Sequence, residues 1–182
     1  VWIASYQSGL TRIISEEDGK ERVIHYRAKP GSPTHLPTNT TIGINEGSNG
    51  HIWVGSFDGL IEIIPESGEK VKFRSYKNEP GNPNSPGSNY IYQAVSDHTG
   101  GIWLPTYMVG VEYMYWENGE QKIRRYGANS KDPFSVASRR PTKIFKGPEG
   151  EIWVGTHGLS RLYLNEKKEA KFRHLFIDPM DN

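Results

Sequence analysis

A tryptophan recurs along this chain at a nearly constant spacing of 51, 50 and 50 residues. Each copy lies in a similar stretch, and the stretches read VWIASYQSGLTRII, HIWVGSFDGLIEII, GIWLPTYMVGVEYM and EIWVGTHGLSRLYL. Self-similarity with a period of about fifty residues is typical of folds that repeat one small structural unit. The spacing divides the chain into units 1–37, 38–87, 88–137 and 138–182.

Each unit is predicted to contain four short strands, because β-branched and aromatic residues alternate with polar ones between turn residues. In the second unit the pattern predicts strands near Thr41–Asn45, His51–Ser56, Leu60–Ile64 and Val71–Tyr76. Segments rich in proline and polar residues follow the fourth strand, as in EPGNPNSPGSN. Four antiparallel strands per repeat with a crossing after each fourth strand indicate an all-β fold of β-propeller blades, with a β-solenoid as the alternative.

The composition excludes several kinds of partner and site. Lysine and arginine total 22 against 21 aspartates and glutamates, and this net charge of +1 creates no field that would gather nucleic acid. Cysteine is absent, which excludes disulfides, thiolate zinc sites and cysteine nucleophiles. The six histidines never occur at the paired spacings of zinc ligands, and no acidic run resembles a calcium loop. We therefore expect no metal, no cofactor and no nucleic-acid partner.

Two further classes of motif are missing. No stretch approaches the roughly 18 apolar residues of a membrane span, so we expect no membrane contact by this segment. The sequence contains no P-loop, no nucleophile elbow and no dinucleotide-binding glycine pattern. It therefore predicts no catalytic residue and no enzyme activity in this chain.

The repeat core resembles the two-component regulator propeller repeat, in which I-W-[VI]-G-[ST] is followed after a short loop by Gly-Leu. The pattern occurs at Ile52–Ser56 with Gly59, and again at Ile152–Thr156 with Gly158. The third unit departs from it, since it has Leu104–Thr106 where the family has an apolar residue, glycine and threonine. The resemblance covers essentially the whole chain.

Repeats of this kind are known chiefly from the extracytoplasmic sensor regions of bacterial hybrid histidine kinases, many of which respond to oligosaccharides. The resemblance implies a periplasmic piece of an inner-membrane sensor protein that responds to an oligosaccharide, with a histidine kinase elsewhere in the parent protein. Related propellers also occur in lyases and in secreted proteins. The alternative is therefore a stand-alone secreted propeller that acts as a binding scaffold or as a lyase-like or glycan-active enzyme.

The number of strands bears on how the chain completes a ring. The sequence opens on the second strand of a unit, so it predicts about three and three-quarter blades and about fifteen strands. The resembled sensors have propellers of roughly seven blades, and we interpret the chain as a fragment of one; a closed four-bladed ring is the alternative. Because end blades leave strand edges unpaired, we expect self-association or packing against further blades.

The loop between the second and third strands carries the first candidate site. Four positions after each repeat tryptophan stands a ring-bearing side chain, namely Tyr6, Phe57, Tyr107 and His157. These loops and the crossings project from one face of a propeller. Aromatic faces suit sugar rings because they bury a large area at little rotamer cost. We expect an aromatic rim that binds ligand; the alternative is that these side chains only cap the blade edges.

Further candidates lie near the inner strands of the last two blades. Tyr92 and Gln93 are placed in the predicted inner strand of the third blade. Arg139, Arg140 and Lys143 flank the predicted inner strand of the fourth, where they would suit a carboxylated sugar.

The repeat tryptophans are assigned a structural role instead. They recur among apolar neighbours at one position of the unit, so we expect them in the core between blades rather than at a ligand. The structural residues of the repeat are Trp2, Trp53, Trp103, Trp153, Gly55, Gly59, Gly155 and Gly158.

Overall fold

The computed structural model describes residues 1–29, 32, 35–67, 69–156, 158–165 and 169–177. These residues form fifteen strands in four antiparallel sheets and no helix. The first sheet has three strands and the other three have four, each ordered as in the sequence. The prediction of an all-β fold of about three and three-quarter blades is confirmed.

We number the blades 1 to 4 along the chain. Blade 1 consists of β1 (Trp2–Ser5), β2 (Gly9–Ser15) and β3 (Glu21–Tyr26). Blade 2 consists of β4 (Thr41–Glu46), β5 (Ile52–Ser56), β6 (Gly59–Pro65) and β7 (Val71–Tyr76). Blade 3 consists of β8 (Val95–Ser96), β9 (Ile102–Thr106), β10 (Gly110–Glu117) and β11 (Glu120–Tyr126). Blade 4 consists of β12 (Lys143–Lys146), β13 (Ile152–Gly155), β14 (Gly158–Leu164) and β15 (Ala170–Ile177).

Glycine sets the turn between the first two strands of each complete blade. Gly50, Gly100 and Gly150 have φ values of 76°, 86° and 87°. No atom lies within 4 Å of the position that a Cβ would take at any of them. Backbone conformation, rather than space, therefore requires glycine there, since other residues adopt positive φ at a cost.

The two sides of each blade pack against different neighbours. The side that carries the repeat tryptophan, which we call the Trp face, packs against the following blade. In blade 2, Trp53 and Tyr76 pack with Ile102 and Met114 of blade 3 in one buried cluster. The opposite face of blade 2 is aliphatic around Val54 and packs on blade 1. The core is therefore a series of equivalent interfaces between blades.

The repeat tryptophans occupy these interfaces to different degrees. Trp53 and Trp103 are only 2% and 4% exposed, whereas Trp2 and Trp153, in the end blades, are half-buried. Trp103 stacks on Tyr113 at 4.4 Å between ring centres. Burial of such large rings contributes about 2–3 kcal/mol each to folding.

The repeat glycines allow close approach of backbones. A Cβ at Gly55, which lies on the Trp face, would come within 2.6 Å of the carbonyl oxygen of Ile91 in the next blade. Gly59 and Gly158 begin β6 and β14, and Gly155 ends β13. A side chain at Gly55 would therefore push blade 3 away from blade 2.

The inner strand of blade 3 is shorter than the sequence predicted. Tyr92 and Gln93 precede β8 instead of lying in it, so their placement in that strand is wrong. Ile91 still forms a bridge to Thr106, but the pairing then shifts by one residue before Val95. Blade 2 has the same one-residue shift between Thr41 and Ile44, so the shift belongs to the repeat. Pro105 lies opposite it in blade 3 and has no N–H to donate, which shortens the paired region there.

An ion pair between the buried Glu112 and the partly exposed Arg125 fixes the crossing between blades 2 and 3. Glu112 is fully buried and accepts a hydrogen bond of 2.8 Å from Nε of Arg125. The backbone N–H of Gly87 donates to both of its carboxylate oxygens, at 2.9 and 3.1 Å. Arg125 also donates to the carbonyl oxygens of Pro83 and Ser85. The crossing is thereby attached to β10 and β11.

Candidate ligand-binding surface

Three hairpin loops place aromatic side chains at the same end of adjacent blades. Tyr6 lies between β1 and β2, Phe57 between β5 and β6, and Tyr107 between β9 and β10. Tyr6 is 61% exposed, and the other two are half-buried. His157, the corresponding candidate in blade 4, lies outside the described residues.

Two tyrosines from the crossing into blade 3 join these rings into one array. Phe57 lies 5.3 Å from Tyr90 and 6.1 Å from Tyr92, measured between ring centres. Tyr107 lies 6.1 Å from Tyr90 and 6.4 Å from Tyr92. Tyr6 meets Phe57 edge to face at 6.1 Å. We call these five residues the aromatic ladder.

The geometry of the ladder fixes its rings before any ligand binds. Four of its contacts are edge-to-face, the arrangement that aromatic quadrupoles favour. Tyr90 is 49% exposed at the middle of the ladder. The surface therefore offers exposed ring area in a fixed arrangement, at a low entropic cost for binding.

Arg140 ends the ladder on the side of blade 4. Its guanidinium carbon lies 5.9 Å from the ring centre of Tyr107, within the range of a cation–π contact. Its Nε donates to the sulfur of Met108 at 3.3 Å. Met108 is 45% exposed and has a φ of 64°, which is unusual for a residue with a side chain.

The remaining candidates are placed less closely together. Gln93 is half-buried, and its side-chain carbons lie 3.0 Å from the position that a Cβ would take on Gly43 of blade 2. Arg139 is exposed in the crossing into blade 4. Lys143 is exposed at the start of β12, where it pairs with Gly155. Of the predicted site residues, the structure brings Tyr6, Phe57, Tyr92 and Tyr107 together in the ladder, and Arg140 into contact with Tyr107.

Sequence reasoning missed two members of this surface, Tyr90 and Met108. Tyr90 stands 50 residues before Arg140 in the repeat, directly after the serine and asparagine of the crossing. An aromatic side chain in a polar loop could have identified it. Met108 follows Tyr107 in the same loop, but no sequence signal distinguishes it from a loop residue without a role.

A cleft of about 790 Å³ lies elsewhere, between the outer parts of blades 3 and 4. Its charged walls are largely paired, since Lys171 bonds Asp132 at 2.9 Å and Arg125 bonds Glu112. The bond from Lys171 lowers the pKa of Asp132 below its ordinary value. Phe134, 48% exposed, also lines this cleft. The cleft contains none of the residues predicted as a site.

Metal-binding clusters and membrane-spanning helices are both absent from the described part of the chain. Within it, no three histidine, aspartate or glutamate side chains form a group that could hold a metal ion. Nor does it contain a helix with the length and hydrophobicity needed to cross a bilayer.

The successive four-stranded sheets, packed face to face with their inner strands adjacent, define a run of β-propeller blades. No protein-family model and no curated protein matches the sequence. Solved structures do match. The chain is similar to the extracellular domains of two proteins assigned as hybrid two-component systems from B. thetaiotaomicron, with 22% and 19% identity and TM-scores of 0.60 and 0.64.

These matches cover 82% and 97% of this chain but only 20% and 24% of the neighbours, so the chain spans about a quarter of their length or less. A virginiamycin B lyase from Staphylococcus aureus is also similar, at 18% identity and a TM-score of 0.56, over 95% of this chain and 50% of the lyase. At such identities the likeness establishes the shared propeller fold. Two of these neighbours are of the class that the repeat motif resembles.

Proposed function

We propose that this chain is part of the extracytoplasmic ligand-sensing propeller of a hybrid two-component sensor kinase, and that the aromatic ladder binds an oligosaccharide. The ladder is the observation that carries the proposal. It extends over three blades with its rings in mutual contact, and two of its tyrosines are about half exposed or more. Sugar rings have apolar faces that pack on such side chains.

A purely structural role explains the ladder less well. Side chains that only cap blade edges would be covered by their neighbours, as Trp53 and Trp103 are in the core. Tyr6 and Tyr90 instead keep most or about half of their surface exposed. Exposed aromatic patches on a rigid scaffold are typical of binding surfaces.

The cellular context of the proposal comes from the resemblance of the repeat and from the neighbours. Two similar structures are described as extracellular domains of two-component systems. In this proposal the chain lies in the periplasm and performs no chemistry, because its part is to bind. Phosphoryl transfer belongs to a kinase in another part of the parent protein.

Binding to an array of oligosaccharides from plant and animal polysaccharides tests this function. For each glycan that binds, isothermal titration compares the chain with variants of the two exposed members of the ladder, Tyr6→Ala and Tyr90→Ala. Loss of stacking on one ring is expected to weaken binding about tenfold while the melting temperature changes little. The proposal is wrong if no oligosaccharide binds, or if both variants bind as tightly as the original chain.

Phe134→Ala is the matched control. Phe134 is as exposed as Tyr90, but it lines the cleft between blades 3 and 4 instead of the ladder. Its removal should leave binding unchanged. If Phe134→Ala abolishes binding and the ladder variants do not, the ligand occupies the cleft and the ladder is not the site.

A further inference from the structure

We propose that the ligand of this surface is an acidic oligosaccharide, with its sugar rings on the aromatic ladder and its carboxylate or sulfate group on Arg140. This inference rests on the proposed function and adds the chemical class of the ligand. It comes from the position of Arg140 at the end of the ladder, from the charges around it, and from the geometry of its guanidinium group.

The repeat places Arg140 where the preceding blade has an aromatic ring. Arg140 follows Tyr90 by 50 residues, and Tyr107 follows Phe57 by the same interval. Tyr90 packs on Phe57 at 5.3 Å, and Arg140 packs on Tyr107 at 5.9 Å. The ladder therefore continues into blade 4 by the same contact, but with a cationic group in place of a ring.

The charge at this end of the ladder is not neutralised within the described residues. Arg139, Arg140 and Lys143 are exposed, and none of them forms an ion pair with a carboxylate in that part of the chain. In the neighbouring loop, Asp58 is already paired with Lys77 at 2.7 Å. Segment 137–143 holds these three cations and no acidic residue, so it is locally positive although the whole chain carries a net charge of only +1.

The contacts of Arg140 leave the anion-binding part of its side chain available. The sulfur of Met108 accepts only from its Nε–H, and its guanidinium carbon lies 5.9 Å from the ring centre of Tyr107. The terminal nitrogens have no partner among the described residues. Through these nitrogens a planar guanidinium group can pair with both oxygens of a carboxylate or sulfate group. A neutral glycan offers hydroxyl and ether oxygens as acceptors but cannot form this charge-assisted pair.

Matched acidic and neutral probes test the inference. The carboxylate probe is tetragalacturonate, and its neutral partner is the same tetramer with every carboxyl group methyl-esterified. The sulfate probe is a κ-carrageenan tetrasaccharide, and its neutral partner is the desulfated form. At least one acidic probe is expected to bind about tenfold more tightly than its neutral partner, with an affinity that falls as salt rises. The anionic group is a carboxylate if the galacturonate pair differs in affinity, and a sulfate if the carrageenan pair differs.

Variants then assign the effect to Arg140. Arg140→Gln should weaken binding of the acidic probe about tenfold and leave binding of the neutral probe unchanged, while Arg140→Lys should lose less. Lys146→Gln is the control, because Lys146 is exposed at the other end of β12.

The outcomes separate this inference from the proposed function. If neutral probes bind as tightly as acidic ones and need the ladder, the inference is wrong and the proposed function stands. The inference is also wrong if acidic probes bind equally to the original chain and to Arg140→Gln, or fail to bind at about 1 mM. Absence of binding by every glycan, acidic or neutral, overturns both.

Discussion

Arg140 lies over the ring of Tyr107 at 5.9 Å, in the contact that Tyr90 makes with Phe57 one blade earlier. One position of the repeat thus carries a neutral ring in one blade and a cation in the next, on the same kind of aromatic partner. The β-propeller supplies the common geometry through its period of about fifty residues. The chemistry of the surface then depends on which side chain each blade places there.

The ion pair between Glu112 and Arg125 should be important for stability. Glu112 is fully buried, and Arg125→Met would leave its charge without a cationic partner. We expect a loss of about 3 kcal/mol in the free energy of unfolding, measured with urea. Arg124→Met is the matched control, because Arg124 is exposed, lies over the ring of Tyr115 at 5.0 Å and forms no ion pair among the described residues. It should cost less than about 1 kcal/mol. Equal losses in the two variants would contradict this account.

The carboxyl group of Glu112 should also make the stability of the chain depend on pH. Burial raises the pKa of Glu112 above its ordinary value of 4.5, and bonds from Gly87 and Arg125 offset this only in part. The folded state therefore keeps this proton to higher pH than the unfolded state. The stabilisation contributed by this group is lost as pH rises from its pKa in the unfolded state through its pKa in the folded state.

Glu112→Gln removes that contribution. Urea unfolding at about pH 4 and about pH 7 should show the original chain losing stability relative to the variant as pH rises. If the original chain instead gains stability relative to the variant over this interval, the hydrogen bonds from Arg125 and Gly87 lower the pKa of Glu112 by more than burial raises it.

The positive φ of a residue in the first hairpin loop leads to a further prediction on stability. Gln7 is exposed with a φ of 64°, whereas the adjacent Ser8, also exposed, does not have a positive φ. Gln7→Gly should raise the free energy of unfolding by about 0.5 kcal/mol, because relief of backbone strain exceeds the added entropy of the unfolded chain. Ser8→Gly should lower it by about 0.5–1 kcal/mol. The opposite order in thermal melts would show that the loop is not strained at Gln7.

Much of the fold could be predicted because the period and the strand pattern support each other. The predicted strand His51–Ser56 is observed as Ile52–Ser56, and Val71–Tyr76 is observed as predicted. The inner strand of blade 3 could not be predicted correctly. The close approach of its backbone to Gly55 is a consequence of packing between blades, which a local pattern does not contain. The missing donor of Pro105 was visible in the sequence, but the residues that pair with Pro105 were not.

The candidate site was predictable only in part. The position four residues after each tryptophan identified Tyr6, Phe57 and Tyr107, because hairpin loops repeat with the period. Tyr90 and Met108 join the surface through contacts between a crossing and a loop of the adjacent hairpin. Such contacts depend on how blades are placed relative to each other, so no spacing within the sequence indicates them.

The end blades expose faces that match each other. Blade 4 presents Phe145 and Tyr163 on its Trp face, 47% and 39% exposed, and blade 1 presents Ile3 and Val23 on its opposite face, 42% and 51% exposed. Every internal interface pairs these two kinds of face. We therefore expect the chain to bind a second copy of itself, with blade 4 of one against blade 1 of the other.

Light scattering over a range of concentrations measures this association. The mass should rise with concentration, and Phe145→Glu should keep it at that of the monomer. Tyr90→Glu, at an aromatic residue of similar exposure in the crossing between blades 2 and 3, should have no effect. A monomer mass at all concentrations would contradict the expectation.

The methyl group of Met108 offers the most direct test of the central claim, that the ladder is the ligand site. Met108 lies on this surface and is 45% exposed, whereas Met114 is fully buried between blades 2 and 3. In a chain labelled with ¹³C-methyl methionine, the signal assigned through Met108→Leu should shift on titration with a glycan that binds, and the Met114 signal should not. Saturable binding that leaves the Met108 signal in place would show that the ligand binds elsewhere and would contradict the account.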